Sequence, residues 1–298
     1  MTTRLVLAVT ALLLAAPAFA ADEIASRPDF EASVRQVGEV QAVTTPPALY
    51  RRPAAPGRRG PRFLVAPYGW LAGNSGKVVT NGVETDLDFS FDDITKHVTG
   101  GFQLYTEARW RGWFIAFDGT WAKLGTDLDL TLATIDIDIT QRIFDVRVGR
   151  EIFRCSRDGA LDPCCEPYRR WVVADAFIGA RYWYTRTDVT YQGILGRVRQ
   201  NTAKDERWDP FVGMRFGFDV TRRWGLGVRA DVGGFGIGDA AQLSWQVAGF
   251  ASYDVTRWLH LVLGWRALYS DTIEGTGTIR NGAALLQHGP IIGGGFTF

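Results

Sequence analysis

From Arg62 to the end of the chain, large apolar residues recur at every second position. Between Trp258 and Tyr269, one face holds Leu259, Leu261, Leu263, Trp265, Ala267 and Tyr269, and the other holds His260, Val262, Gly264, Arg266 and Leu268. Leu243, Trp245, Val247 and Tyr253 oppose Ser244, Gln246, Ala248, Ser252 and Asp254 in the same way, and segments 210–220 and 224–234 repeat the theme. A period of two is that of a β-strand; an amphipathic helix would need 3.6. The alternation predicts strands at 62–73, 99–110, 113–125, 140–153, 170–186, 208–220, 224–235, 242–255, 258–270 and 286–298, about ten in all. Eight or twelve remain compatible with the pattern. Thr126 to Asp138 alternates Leu with Asp, which fits either an extra hairpin or strands prolonged beyond their neighbours.

The connections alternate too. Arg111-Gly112, Thr221-Arg222-Arg223 and Thr256-Arg257 are tight reversals, whereas Asn74–His97, Asp188–Glu206 and Asp271–Gln287 read as long polar loops. Phe218-Asp-Val-Thr-Arg-Arg-Trp224 is echoed by Tyr253-Asp-Val-Thr-Arg-Trp258, so two hairpin tips present the same residues to one boundary. Short turns at one end and long loops at the other mark a transmembrane barrel.

Alternation alone also suits a soluble sandwich, so the content of the second face decides. It carries small residues interspersed with opposed charges: Glu107, Arg109, Asp118, Asp145, Arg147, Asp175, Arg181, Arg215, Asp219, Arg229, Asp231 and Arg266. Six acids meet six arginines, and the planar guanidinium suits bidentate pairing in a confined space. The apolar faces end in Trp and Tyr, the residues of a lipid boundary. The expectation is an all-β, closed, antiparallel up-and-down transmembrane barrel with its oily face outward and an ion-paired, largely plugged lumen.

Composition sharpens this picture. The 298 residues include 34 Gly, 18 Phe, 11 Trp and 9 Tyr but only 3 His and 3 Cys. Lys and Arg total 33 against 32 acids, which argues against a nucleic-acid partner. Residues 1–20 have the layout of a cleavable signal peptide: Arg4, an apolar run from Leu5 to Ala16, and Ala18-Phe19-Ala20 before the cut. Residues 21–61 lack the large apolar residues of a core and read as a flexible Pro/Arg-rich periplasmic arm. Its basic end, with Arg51, Arg52, Arg58 and Arg59, suits peptidoglycan or anionic lipid, or else is simply solvated. Residues 62–298 form the barrel.

The histidines and acids are the candidates for chemistry. His97 lies near Asp92 and Asp93 with no serine motif beside it, His260 opens a strand near the periplasmic rim, and His288 precedes the last strand. A hydrolytic pair at His97 or His288 is the enzyme alternative. Asp86, Asp88, Asp127, Asp129, Asp136 and Asp138 offer oxygen donors but no recognised cation-loop spacing, so no metal or cofactor site is assigned. Cys155 with Cys164 or Cys165 would staple the periplasmic connection and leave one thiol over.

The chain stops at Ile291-Ile-Gly-Gly-Gly-Phe-Thr-Phe298, with Ile292, Phe296 and Phe298 on one face. This resembles the C-terminal signal that the barrel-assembly machinery reads in bacterial outer-membrane barrels. With Tyr68-Gly-Trp-Leu-Ala-Gly73 in the first strand and His288-Gly-Pro290 leading into the last, residues 62–298 resemble the small outer-membrane barrels of the OmpA/OmpX-like superfamily. No peptidoglycan-binding domain follows the barrel, a departure from full-length OmpA. The resemblance implies outer-membrane localisation among lipid and lipopolysaccharide, with a structural or surface-interaction role. A narrow, porin-like channel and a lipid-modifying or proteolytic enzyme are the alternatives.

Overall fold

The computed structural model describes residues 60–89, 97–130, 133–158, 169–193 and 198–298, and only the backbone of those within 126–135, 156–171 and 191–199. The leader, the arm with its four arginines, Asp92, Asp93, Cys164 and Cys165 lie outside the described residues.

The described residues form twelve strands in order: β1 (Arg62–Trp70), β2 (Gly73–Thr80), β3 (Val83–Phe89), β4 (Val98–Trp110), β5 (Trp113–Leu130), β6 (Ala133–Asp158), β7 (Arg169–Gly193), β8 (Val198–Asp219), β9 (Trp224–Gly234), β10 (Leu243–Asp254), β11 (Leu259–Asp271) and β12 (Gly282–Thr297). Ten of them, β1 and β4 to β12, form an antiparallel wall closed by the β1–β12 pairing. The remaining two make a hairpin added beside the outer part of β12.

The wall is tilted. Register followed from Leu64 through Glu107, Ala116, Arg147, Gly179, Phe211, Gly233, Ser244, Ser270 and Leu285 arrives at Gly76 on β2, which continues the line of β1 twelve residues farther on. Ten strands with a shear of twelve lean about 40° from the barrel axis. Ten residues of strand then rise roughly 25 Å, the height of an apolar membrane band.

Aromatic side chains bracket that height on the outer surface. Trp113 and Trp121 lie eight residues apart on β5, Trp208 and Phe218 ten apart on β8, and Trp258 and Tyr269 eleven apart at β11. In the upper ring Phe144, Tyr182 and Trp208 follow one another at 6.2 and 4.9 Å, and Trp245 stacks on Tyr269 at 5.6 Å. In the lower ring Trp224 meets Tyr253 at 5.1 Å and Trp258 meets Phe296 at 6.1 Å. Between the rings, Leu261, Leu263, Ile115, Ile178 and Val212 are all about half exposed. Arg229 and Arg266, each 3% exposed, point inward.

Several expected boundaries are corrected. Asp188–Glu206, expected as a loop, is mostly strand, because β7 and β8 continue outward in unbroken register. Asn74–His97 contains the β2–β3 hairpin, whose tight turn at Asn81-Gly82 has φ of 51° and 80°, the residue pair a type I′ turn favours. Thr126–Asp138 prolongs β5 and β6 and forms no separate hairpin among the described residues. Part of Asp271–Gln287 is strand as well, since β12 starts at Gly282. Cys155 stands on β6 opposite Val172, within the sheet, where a turn was expected.

β1 and β2 keep one register along β12, from Leu64 opposite Thr297 to Val79 opposite Gly282. The ladder lapses at Ala66 and Pro67 and again at Leu71 and Ala72, the latter two opposite Pro290 and Gly289. Pro290 accepts from the Leu71 amide at 3.0 Å but has no N–H to return. A side chain on Gly289 would place its Cβ 1.8 Å from the Leu71 carbonyl oxygen. The two segments quoted from the sequence therefore face each other across the seam that closes the barrel.

Candidate functional site

Inward side chains fill the lumen in layers. Nearest the short-turn end, Glu107 and Arg109 from β4, Asp175 from β7 and Arg215 from β8 make a closed square. Arg215 donates to Glu107 and to Asp175, each at 2.7 Å, while Arg109 grips both Asp175 oxygens at 2.7 and 3.1 Å and reaches Glu107 at 3.1 Å. Two charges of each sign balance.

The next layer gathers residues from seven strands. Arg181 donates to Asp145 at 2.8 Å and to Asp231 at 2.9 Å. Arg229 reaches Asp145 at 2.9 Å, Asp231 at 2.8 Å and Asp118 at 3.5 Å. Arg266 donates to Gln246 at 3.0 Å and to the Tyr68 hydroxyl at 3.3 Å, and Tyr68 in turn donates to Asp118 at 2.6 Å. Arg147 stands apart in kind. Its nearest carboxylate oxygen, on Asp145, is 3.9 Å away, and its guanidinium lies over the rings of Tyr105 and Phe177 at 5.1 and 5.7 Å.

Eleven of the twelve charges named from the sequence thus fall into two linked groups. Asp219, also buried, sits lower, toward the 220–223 turn. Burying charge this deeply is costly unless each ion is paired and hydrogen-bonded. Cross-lumen pairing supplies that condition for the ions of both groups except Arg147, which rests on the faces of Tyr105 and Phe177 instead.

The aromatic part of the lumen was not foreseen. Tyr105 donates to Glu107 at 2.5 Å, and Phe114 and Phe211 lie under Arg215 and Arg181 at 4.6 and 5.0 Å. Each of these phenylalanines lies against a glycine of a neighbouring strand; any side chain on Gly149 or Gly179 would meet the ring at 2.5 Å. Glycine opposite phenylalanine leaves room for a ring to lie flat and carry a cation on its face. The signal was present as phase, since Tyr68, Tyr105, Phe114, Phe177 and Phe211 share parity with the charged positions of their strands.

Above the ions, Trp70, Ile143, Trp183 and Leu268 form a buried apolar layer. A cavity beside Tyr68, lined also by Ala66, Phe250, Val262 and Ile291, measures ≈ 20 Å³, about the room of one water. Over the apolar layer Asp209 accepts from the Trp183 indole at 2.7 Å and from the Ala241 amide at 2.8 Å, and Arg207 donates to Ser270 at 2.7 Å.

The histidines do not gather into one site. His260 is buried, with Nδ1 2.8 Å from Asp254 and Nε2 2.7 Å from the Thr297 hydroxyl, which ties the last strand to the β10–β11 turn. His288 faces outward and stacks on Trp265 at 6.0 Å. The His97 carbonyl accepts from Gly125 at 2.9 Å. Asp138 lies 3.2 Å from Lys123 on the outer extension. On the same extension, hydrogen bonds from Arg186 and Thr202 hold the Asp188 carboxyl below the usual carboxylate range. Ile292, Phe296 and Phe298 all face outward, and the Phe298 amide donates to Phe63 at 3.0 Å across the seam.

No protein-family model matches the chain, and no curated protein matches it. Among solved structures it is similar to the outer membrane protease OmpT from Escherichia coli, at 11% identity over 81% of this chain and 98% of that one, with a TM-score of 0.47. The attachment invasion locus protein Ail of Yersinia pestis, solved with sucrose octasulfate, matches at 11% identity over 80% and 99%, with a TM-score of 0.34. Neisserial surface protein A matches at 12% identity over 80% and 99%, with a TM-score of 0.30. Likenesses at this level transfer no residue role to this chain.

Proposed function

We propose that the chain is an integral outer-membrane β-barrel whose lumen is closed and whose role is structural or one of surface interaction. The observation that carries this is sidedness. Apolar side chains between two aromatic rings face outward, while arginines and carboxylates exposed by no more than 10% are paired across the inside. A water-soluble barrel would have no use for a half-exposed belt of Leu, Ile and Val roughly 25 Å tall. Among the described residues, the apolar layer of Trp70, Ile143, Trp183 and Leu268 lies over the ion-paired layers, which favours a lumen closed to solutes.

On this reading the leader directs export, Ile292, Phe296 and Phe298 engage the assembly machinery, and lipid and lipopolysaccharide surround the wall. Strands β5 to β8 rise well above the upper aromatic ring and make a surface for contacts outside the cell. No catalytic step is part of the proposal.

Proteoliposomes test it. The purified chain should migrate faster on a gel before boiling than after, and vesicles containing it should hold small sugars as tightly as empty vesicles do. A steady sugar leak would replace the closed barrel with the narrow channel.

A further inference from the structure

At the short-turn end, each tight reversal sets arginine beside tryptophan: Trp110-Arg111-Gly112-Trp113, Thr221-Arg222-Arg223-Trp224 and Thr256-Arg257-Trp258. The lower aromatic ring holds these guanidinium groups in place. Arg111 lies over Trp110 at 4.6 Å, Arg150 over Trp113 at 5.4 Å, and Arg223 donates to the Tyr253 hydroxyl at 3.0 Å. All three arginines are exposed.

Backbone conformation adds an independent argument. Arg111 has φ of 50° and Gly112 of 81°, the same turn as Asn81-Gly82 at 51° and 80°. At the opposite end of the molecule the chain uses asparagine, which the left-handed region tolerates well. Here it uses arginine, which does not suit that region, so the turn gives up local stability to keep a guanidinium at this place. Two of the described acids at this end turn to other partners, Asp254 to His260 and Glu151 to Arg154. The opposite end exposes Glu84, Asp86, Asp239 and Glu274.

We infer that this arginine collar binds the phosphodiester headgroups of anionic phospholipid in the inner leaflet. The inference rests on the membrane reading above. Indole rings at the interface hold guanidinium groups one step farther from the hydrocarbon, at the level of phosphate, where a planar fork accepts two oxygens.

The test uses the full chain folded in detergent and mixed with equal phosphatidylglycerol and phosphatidylcholine, with retained lipid read by native mass spectrometry. The wild type should keep phosphatidylglycerol preferentially, by roughly fivefold per guanidinium engaged. The triple variant R111N/R150Q/R223Q should fall to near parity while keeping the heat-dependent gel shift, since asparagine suits the Arg111 backbone. The variant K123Q/R142Q, altered near the other aromatic ring, should keep the wild-type preference.

Equal retention of both lipids by the wild type, or an undiminished preference in the triple variant, would overturn the collar and leave the barrel intact. Sedimentation of the protein with peptidoglycan without lipid preference would overturn it in favour of a polymer partner. Absence of a gel shift in the wild type would instead overturn the membrane reading itself.

Discussion

Replacing Asp145 with Asn tests whether the lumen charges are load shared across the barrel or decoration. Asp145 is 1% exposed and accepts from Arg181 at 2.8 Å and Arg229 at 2.9 Å, two guanidinium groups that are themselves 0% and 3% exposed. Asparagine keeps the shape and one acceptor oxygen but loses the charge. A layer with four arginines and three aspartates becomes one with four and two. Removing one partner of a buried pair costs about 3–5 kcal/mol, because the remaining ion cannot return to water. Exposed pairs contribute about 0–1 kcal/mol. Asp138→Asn supplies that comparison, since Asp138 and its partner Lys123 are 52% and 43% exposed at the side chain. Urea unfolding in lipid vesicles, followed by tryptophan fluorescence and gel mobility, should show Asp145→Asn losing about 4 kcal/mol and Asp138→Asn less than about 1 kcal/mol. Equal, small losses in the two variants would mean that the inside of the barrel is wet and the packed-lumen argument is wrong.

Other changes probe other parts of the wall. Leu263 lies about midway between the aromatic rings, so Leu263→Arg should destabilise the folded barrel by about 2–4 kcal/mol in the same urea assay. Gly289→Ala brings a Cβ against the Leu71 carbonyl, and the fraction of heat-shiftable, folded protein on gels should drop severalfold. Arg229→Ala removes a central member of the upper ion layer, so single-channel recordings should show conductance events that the wild type lacks.

Much of the wall was legible because one strand face is apolar and turned outward while the other meets packed charge, which forces a clean period of two. Leu259 to Tyr269 and Gln242 to Asp254 could be assigned to faces residue by residue on that ground. The outer reaches were not, for a physical reason. Above the upper ring neither face of β7 and β8 has an apolar surrounding to match, so Asp188 to Glu206 carries polar residues on either side and resembles a loop. The β2–β3 hairpin was hidden likewise, although Asn81-Gly82 was the turn signal that could have revealed it. At the site, opposed Arg and Asp were visible by sign and phase. Their division into a lower square and an upper layer was not, because the partners of Asp145 lie on β7 and β9, 36 and 84 residues away. The inward phenylalanines carry no charge to mark their side of the strand, so only their phase with the charged positions betrays them.

The central claim concerns which way the side chains of each strand point, and a spin-label scan of Leu261 to Arg266 measures that most directly. Single cysteines would be placed in turn at these six positions, in a background where Cys155, Cys164 and Cys165 are serine, and the protein reconstituted in vesicles. Labels at 261, 263 and 265 should collide readily with oxygen dissolved in the bilayer, while those at 262, 264 and 266 should be immobile and shielded from both oxygen and a water-soluble nickel chelate. The opposite phase, with 262, 264 and 266 open to the chelate and 261, 263 and 265 shielded, would describe a water-soluble globule and contradict the account.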